Sequence, residues 1–144
     1  MSNQSKNIER IIRNTLNQFD LEAEYRVEDD YVFASTAINI PEMDIDFAIS
    51  FEVFDGGLLM FRAASGHVIT NDRMHEMINR FNVNNLYFKA FVGDKFFVEV
   101  QKGVVLEANM ENDLEQQILF ILREFPNAIL TEEFAAIVEK MSWY

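Results

Sequence analysis

The sequence predicts an α+β domain, an antiparallel sheet with helices on one face, in the order α-β-β-β-β-α-β-β-α-α. Three observations carry that expectation. From Met43 to Val53, apolar Met43, Ile45, Phe47, Ile49, Phe51 and Val53 alternate without a slip with Asp44, Asp46, Ala48, Ser50 and Glu52. That is the period of a strand with one dry face and one wet face. Turn formers recur at short intervals, as Asp29-Asp30, Pro41-Glu42 and Asp55-Gly56-Gly57, so neighbouring strands fold straight back. Apolar stripes at helical spacing stand before, between and after the strand groups.

The first helix is expected over 5–18, where Ile8, Ile11, Ile12, Leu16 and Phe19 recur on one side. Leu21, Ala23, Tyr25 and Val27 then alternate with Glu22, Glu24, Arg26 and Glu28, and a second strand follows over 31–40. A two-residue turn at Asp29-Asp30 sets Val27 opposite Val32, Tyr25 opposite Ala34 and Leu21 opposite Ile38. Closing around Pro41-Glu42 with even parity sets Ile40 against Met43, Ile38 against Ile45 and Val32 against Phe51, although proline disfavours a tight type I′ turn and favours a wider loop. A three-residue loop from Asp55 to Gly57 pairs Val53 with Leu59, Phe51 with Phe61 and Ile49 with Ala63, and starts a fourth strand that runs to about residue 64. All three turns bury one common apolar set. A one-residue slip in any of them would turn that set into water.

A loop containing Ser65-Gly66 leads to a helix capped by Thr70 or Asn71, with Met74, Met77, Ile78 and Phe81 as its stripe and Asn82 to Asn85 at its end. In the second hairpin a two-residue turn at Gly93-Asp94 would oppose Phe88 to Glu99. A three-residue loop including Lys95 instead sets Val92 opposite Phe96, Ala90 opposite Val98 and Phe88 opposite Val100, with Lys89 and Glu99 paired outside. Lys102-Gly103 marks a bulge or bend in one long strand, since Val104, Leu106 and Ala108 keep the parity of Phe96, Val98 and Val100. Leu114, Ile118, Ile121, Leu122 and Phe125 form a helical stripe that Pro126 ends. A short last helix starts at Thr131, an N-cap followed by Glu132 and Glu133, with Phe134, Ile137, Val138 and Met141 on its apolar face.

A chain of 144 residues suits one domain, 1–144, with a core that needs no staples. It has no cysteine, hence no disulfide framework and no thiolate ligand or nucleophile. Its N-terminus is polar and no apolar run approaches a bilayer-spanning length, so a cytoplasmic protein that does not enter the membrane is expected. Twelve basic against 24 acidic residues give a net charge of −12, which repels phosphate backbones and anionic lipid, and nucleic acid is not expected as a partner. The acidity serves solubility before it serves any steering of a basic partner.

No motif for catalysis, a cofactor or a metal is found. His67 and His75, the only histidines, have no serine or carboxylate at a catalytic spacing. Asp44 and Asp46 share a sheet face roughly 7 Å apart at two strand rises, with Glu22 and Asn39 nearby. A carboxylate pair there is the basis of an alternative reading, a small-ligand binder or hydrolase; a solvated sheet face explains the same residues. The glycines read as turn or bulge residues and not as a phosphate cradle.

The wet face carries the more informative cluster. In the expected register Glu52 lies between Tyr31 and Met60, Ser50 lies between Phe33 and Arg62, and Phe54 pairs with Leu58. Tyr31, Phe33, Phe54, Leu58 and Met60 would then be contiguous, and contiguous apolar surface marks a contact. Three occupants are open: the C-terminal segment with Trp143 and Tyr144, a second copy of the chain, or another protein.

The order of elements now supports a comparison. Met77-Ile78-Asn79-Arg80-Phe81-Asn82 at a helix end is followed by a hairpin, and Val104-Val105-Leu106-Glu107-Ala108 then precedes an acidic helix. Across most of the chain this resembles the fold shared by type III secretion chaperones and the YbjN family of bacterial sensory-transduction regulators. Asn79 and Asn82 read equally as helix C-capping groups, and the fourth strand departs from the minimal chaperone pattern of three strands before the middle helix. The resemblance implies a small, acidic, dimeric binding protein and no particular client; the expected function is that of a non-enzymatic binding or regulatory module that engages a protein segment.

Overall fold

The computed structural model describes residues 3–107 and 110–142. Its elements are α1 (Asn3–Asn17), β1 (Glu24–Val27), β2 (Tyr31–Ile40), β3 (Ile45–Phe54), β4 (Leu58–His67), α2 (Asp72–Asn84), β5 (Lys89–Val92), β6 (Phe97–Val105), α3 (Met110–Ile129) and α4 (Glu132–Val138), with a 3-10 turn at Asp94–Phe96. The strands form one antiparallel sheet in the order β1-β2-β3-β4-β6-β5. The expected class and element order are those observed. Helices α1 and α3 pack on each other, as do α2 and α4, and they close the core over the dry face of the sheet. Phe47, Phe61 and Phe88 of the sheet side meet Phe125 of α3 at centroid distances of 5.1, 5.2 and 5.8 Å, all edge to face. All four rings are buried. Each contributes its burial energy and an edge-to-face term besides.

Two hairpins have the expected register. Val27 faces Val32 and Tyr25 faces Ala34 across the Asp29-Asp30 turn, while Val53 faces Leu59 and Phe51 faces Phe61 across the loop closed by Gly57 at φ 89°. The other two are shifted by two residues. Ile40 pairs with Ile45 and Val32 with Val53, not with Met43 and Phe51. Pro41 cannot take the positive φ of a type I′ turn, so the loop widens to Pro41–Asp44 and Asp44, at φ 53°, makes the left-handed step. Between β5 and β6, Val92 pairs with Val98 and Ala90 with Val100, not with Phe96 and Val98. Lys95 and Phe96 turn left-handed at φ 58° and 64°. Phe96 is thereby carried out of the dry face, and Lys89 stands opposite Gln101 instead of Glu99. Shifts of two leave the residues that remain within the paired strands on their expected faces; Asp44 and Phe96, drawn into the loops, do not keep theirs.

Five smaller expectations are corrected. The first strand begins at Glu24, because the end of α1 is closed by Asp20 at φ 57° and by the Leu21 N–H on the Leu16 carbonyl at 3.1 Å; the pairing of Leu21 with Ile38 is therefore not made. Gly103 is not a bulge: it stands in register opposite Met60, and a Cβ there would come within 3.0 Å of the Met60 sulfur. The irregularity lies between Ala64 and His67, in a β4 that runs on through Ser65-Gly66. Pro126 lies inside α3. It removes one ladder bond, and the turn beyond it is held by the Leu130 N–H on the Pro126 carbonyl at 2.9 Å and by the burial of Ala128 and Ile129. Asn71 caps α2 and Thr131 caps α4, as expected of these residues, but α4 ends at Val138, and Met141 instead packs against Ser65 and Gly66. Ala108 lies outside the described residues.

Candidate protein-binding face

The wet face of the sheet is where the sequence-predicted residues meet. The two-residue shift places Tyr31 directly opposite Phe54, with ring centroids 6.3 Å apart and planes at 27°. Glu52 now lies between Phe33 and Met60, and Ser50 between Ser35 and Arg62. Leu58 starts β4 opposite Val105. All five predicted residues, Tyr31, Phe33, Phe54, Leu58 and Met60, thus sit in one strip across β2, β3 and β4. Val105 extends it onto β6 and is 80 % exposed. The sequence reading missed Val105, although parity signalled it: with Val104 and Leu106 turned inward, the residue between them must face out.

Polar groups frame the strip, and Glu52 lies within it between Phe33 and Met60. Glu52 is held 3.5 Å from Arg62 with its side chain only 18 % exposed. Arg26 lies over the Tyr31 ring at 5.8 Å, an exposed cation–π contact. Tyr31, Phe33, Phe54, Ser35, Glu52 and Arg26 line a shallow concavity of about 440 Å³ that opens at β1. A second hollow of about 580 Å³ shares Phe33 and Ser35 with it and runs towards Arg62 and Glu99. At the rim, Tyr25 carries Arg13 4.3 Å above its ring. Burial pushes its phenol above the ordinary value, and the Arg13 charge opposes that rise.

Two edges flank this face. Asn82, on the last turn of α2, donates from Nδ2 to the Ala90 carbonyl at 2.9 Å and accepts the Ala90 N–H on Oδ1 at 2.6 Å. It therefore pairs with β5 as a neighbouring peptide would, and it is not a helix C-cap. The Phe88 N–H goes to Asn85 Oδ1 at 2.8 Å, and Lys89 Nζ donates to the carbonyls of Asn82 and Asn85 at 2.7 and 2.6 Å.

The residues of the alternative reading are not brought together. Asp44 lies in the loop before β3 and not on the strand. Asp46 stands opposite Asn39 and accepts its Nδ2 at 2.8 Å. His67 Nδ1 is 2.9 Å from the Lys95 carbonyl, with its ring against Phe97 at 3.8 Å, while His75 is on the exposed face of α2. Among the described residues no three histidine, aspartate or glutamate side chains converge as a metal site, and no helix is long and apolar enough to cross a membrane. Trp143 and Tyr144 lie outside the described residues. Ser142 pairs with His67 through bonds of 2.8 and 3.0 Å, at the end of β4 remote from Leu58.

No family model, curated protein or solved structure matches the chain.

Proposed function

We propose that this protein is a non-enzymatic, cytoplasmic binding or regulatory module, a chaperone-like adaptor that holds an apolar segment of a client protein on the wet face of its sheet and works as a homodimer. One observation carries the reading: Tyr31, Phe33, Phe54, Leu58, Met60 and Val105, from four strands, form a continuous apolar strip on a face that the described helices leave open. Such a strip costs solubility unless something uses it. Net charge of −12 offsets that cost. The rings of Tyr31 and Phe54, with Met60 beside them, form an adaptable apolar floor, and Glu52, Arg26 and Arg62 give it a polar rim suited to a peptide. The resemblance in element order to the YbjN-like and type III secretion chaperone group supports the same class.

The test is affinity capture from the source cells with the wild type and with Phe33→Glu, read by mass spectrometry. The expected result is a stoichiometric protein that the wild type retains and the variant loses, with both chains equally folded by circular dichroism. A partner held equally by both would overturn the assignment to this face. Recovery of a small molecule bound at Asp46 with no protein partner would favour the ligand-binding alternative.

A further inference from the structure

The two edges of the sheet are not equivalent, and the difference identifies a seam. In β5 the outward N–H and C=O of Ala90 are both taken by Asn82, and just before the strand the Phe88 N–H is taken by Asn85. In β1 the Glu28 N–H bonds the Tyr31 carbonyl at 2.9 Å, so the bonded pairs of the β1–β2 ladder are Glu28 with Tyr31, Arg26 with Phe33 and Glu24 with Ser35. Alternation then turns the N–H and C=O of Tyr25 and Val27 to the free side. Among the described residues no side chain or neighbouring main chain bonds those groups. Such an edge is a template for another strand.

The side chains on β1 specify which strand. Glu24 and Arg26 point to the wet face, Tyr25 and Val27 to the dry face. We infer that β1 pairs antiparallel with β1 of a second copy about a two-fold axis at Tyr25, joining the two sheets into one. In that register Tyr25 meets the partner's Tyr25 as a bonded pair, and Glu24 stands opposite the partner's Arg26 twice over, at cross-strand distances where opposite charges attract. A slip that puts Arg26 on the axis opposes two like charges. Centring on Val27 runs the strands into the Asp29-Asp30 turn. The like-charged Glu22 and Glu28 would meet only beyond the four-residue strand. Arg26 also lines the concavity at Tyr31, so the two apolar strips would approach each other across the seam and offer a client one longer surface.

This inference rests on the dimeric part of the proposed function and is independent of the apolar strip as client site. Charge exchange at two exposed positions tests it. Sedimentation velocity on the full chain over a concentration series should show the wild type moving from monomer to dimer. Glu24→Arg alone and Arg26→Glu alone should each weaken association by about tenfold or more, since each opposes like charges twice. The double variant Glu24→Arg with Arg26→Glu should restore it to near the wild-type value. Phe33→Glu should lose the client and leave the dimer intact. A wild type that stays monomeric throughout overturns the inference, as does a dimer indifferent to the single changes, or a double variant that fails to regain what the single ones lose. A dimer broken by Phe33→Glu alone would move the seam to the apolar strip.

Discussion

The sheet ends at β5 on one side and β1 on the other, and the two ends are protected by different means. At β5 a side-chain amide stands in for the missing strand, because Asn82 both donates to and accepts from Ala90. At β1 the protection is shortness, four residues, and alternating charge. At Ala90 a side-chain amide closes the edge to every comer. Charge repels most strands but admits one with the complementary order, and the order Glu24, Arg26 is complementary to itself when read antiparallel.

The sharpest way to break this contrast is Asn82→Ala. The Ala90 N–H and C=O lose both partners in a part-buried site, and the expected cost is about 1–2 kcal/mol in urea unfolding. The opened edge should also make the variant associate with rising concentration. Asn82→Asp should be no better, since it keeps an acceptor for the Ala90 N–H but sets a carboxylate oxygen against the Ala90 carbonyl. Unchanged stability in both would mean that water, and not Asn82, satisfies that edge. A smaller effect is expected of Lys89→Ala. Lys89 Nζ caps the Asn82 and Asn85 carbonyls at the exposed C-terminal end of α2, and losing a cation there costs about 0.3–1 kcal/mol. If Lys89 also steadies Asn82 through its carbonyl, the two losses combined should differ from their sum, which a double-mutant cycle measures.

Within the paired strands, which residues face in and which face out was legible in the sequence, and so was the apolar cluster. Alternation has period two, so it discriminates a slip of one residue and is blind to a slip of two. Loop length had to supply the rest. At Asp55-Gly56-Gly57 the residue that takes positive φ is a glycine, and the register follows; at 93–97 that role falls to Lys95 and Phe96, which no turn preference singles out. The consequence reaches the candidate site, because the shift at Pro41–Asp44 replaces Glu52 by Phe54 as the neighbour of Tyr31 and makes the strip more continuous than the expected register allowed. Asn82 was visible as a residue at a helix end, but its partner, Ala90, depends on where β5 lies, and that is a tertiary fact. Pro126 misled for a related reason: the local rule ends a helix there, and the burial of Ala128 and Ile129 carries it on.

The smallest expected change separates stability from association. Arg26 forms an exposed pair with Glu28 at 3.4 Å, its side chain 70 % accessible, so within a single chain Arg26→Ala should alter unfolding by no more than about 0.5 kcal/mol. Folding linked to self-association depends on concentration, since a partner that binds only the native state adds to its apparent stability by mass action. If Arg26 serves the seam, wild type and Arg26→Ala should unfold together when dilute and diverge as the protein is concentrated, the wild type alone gaining. Equal curves at every concentration would return Arg26 to an ordinary surface charge, and the charge order on β1 would then guard an edge and specify no partner.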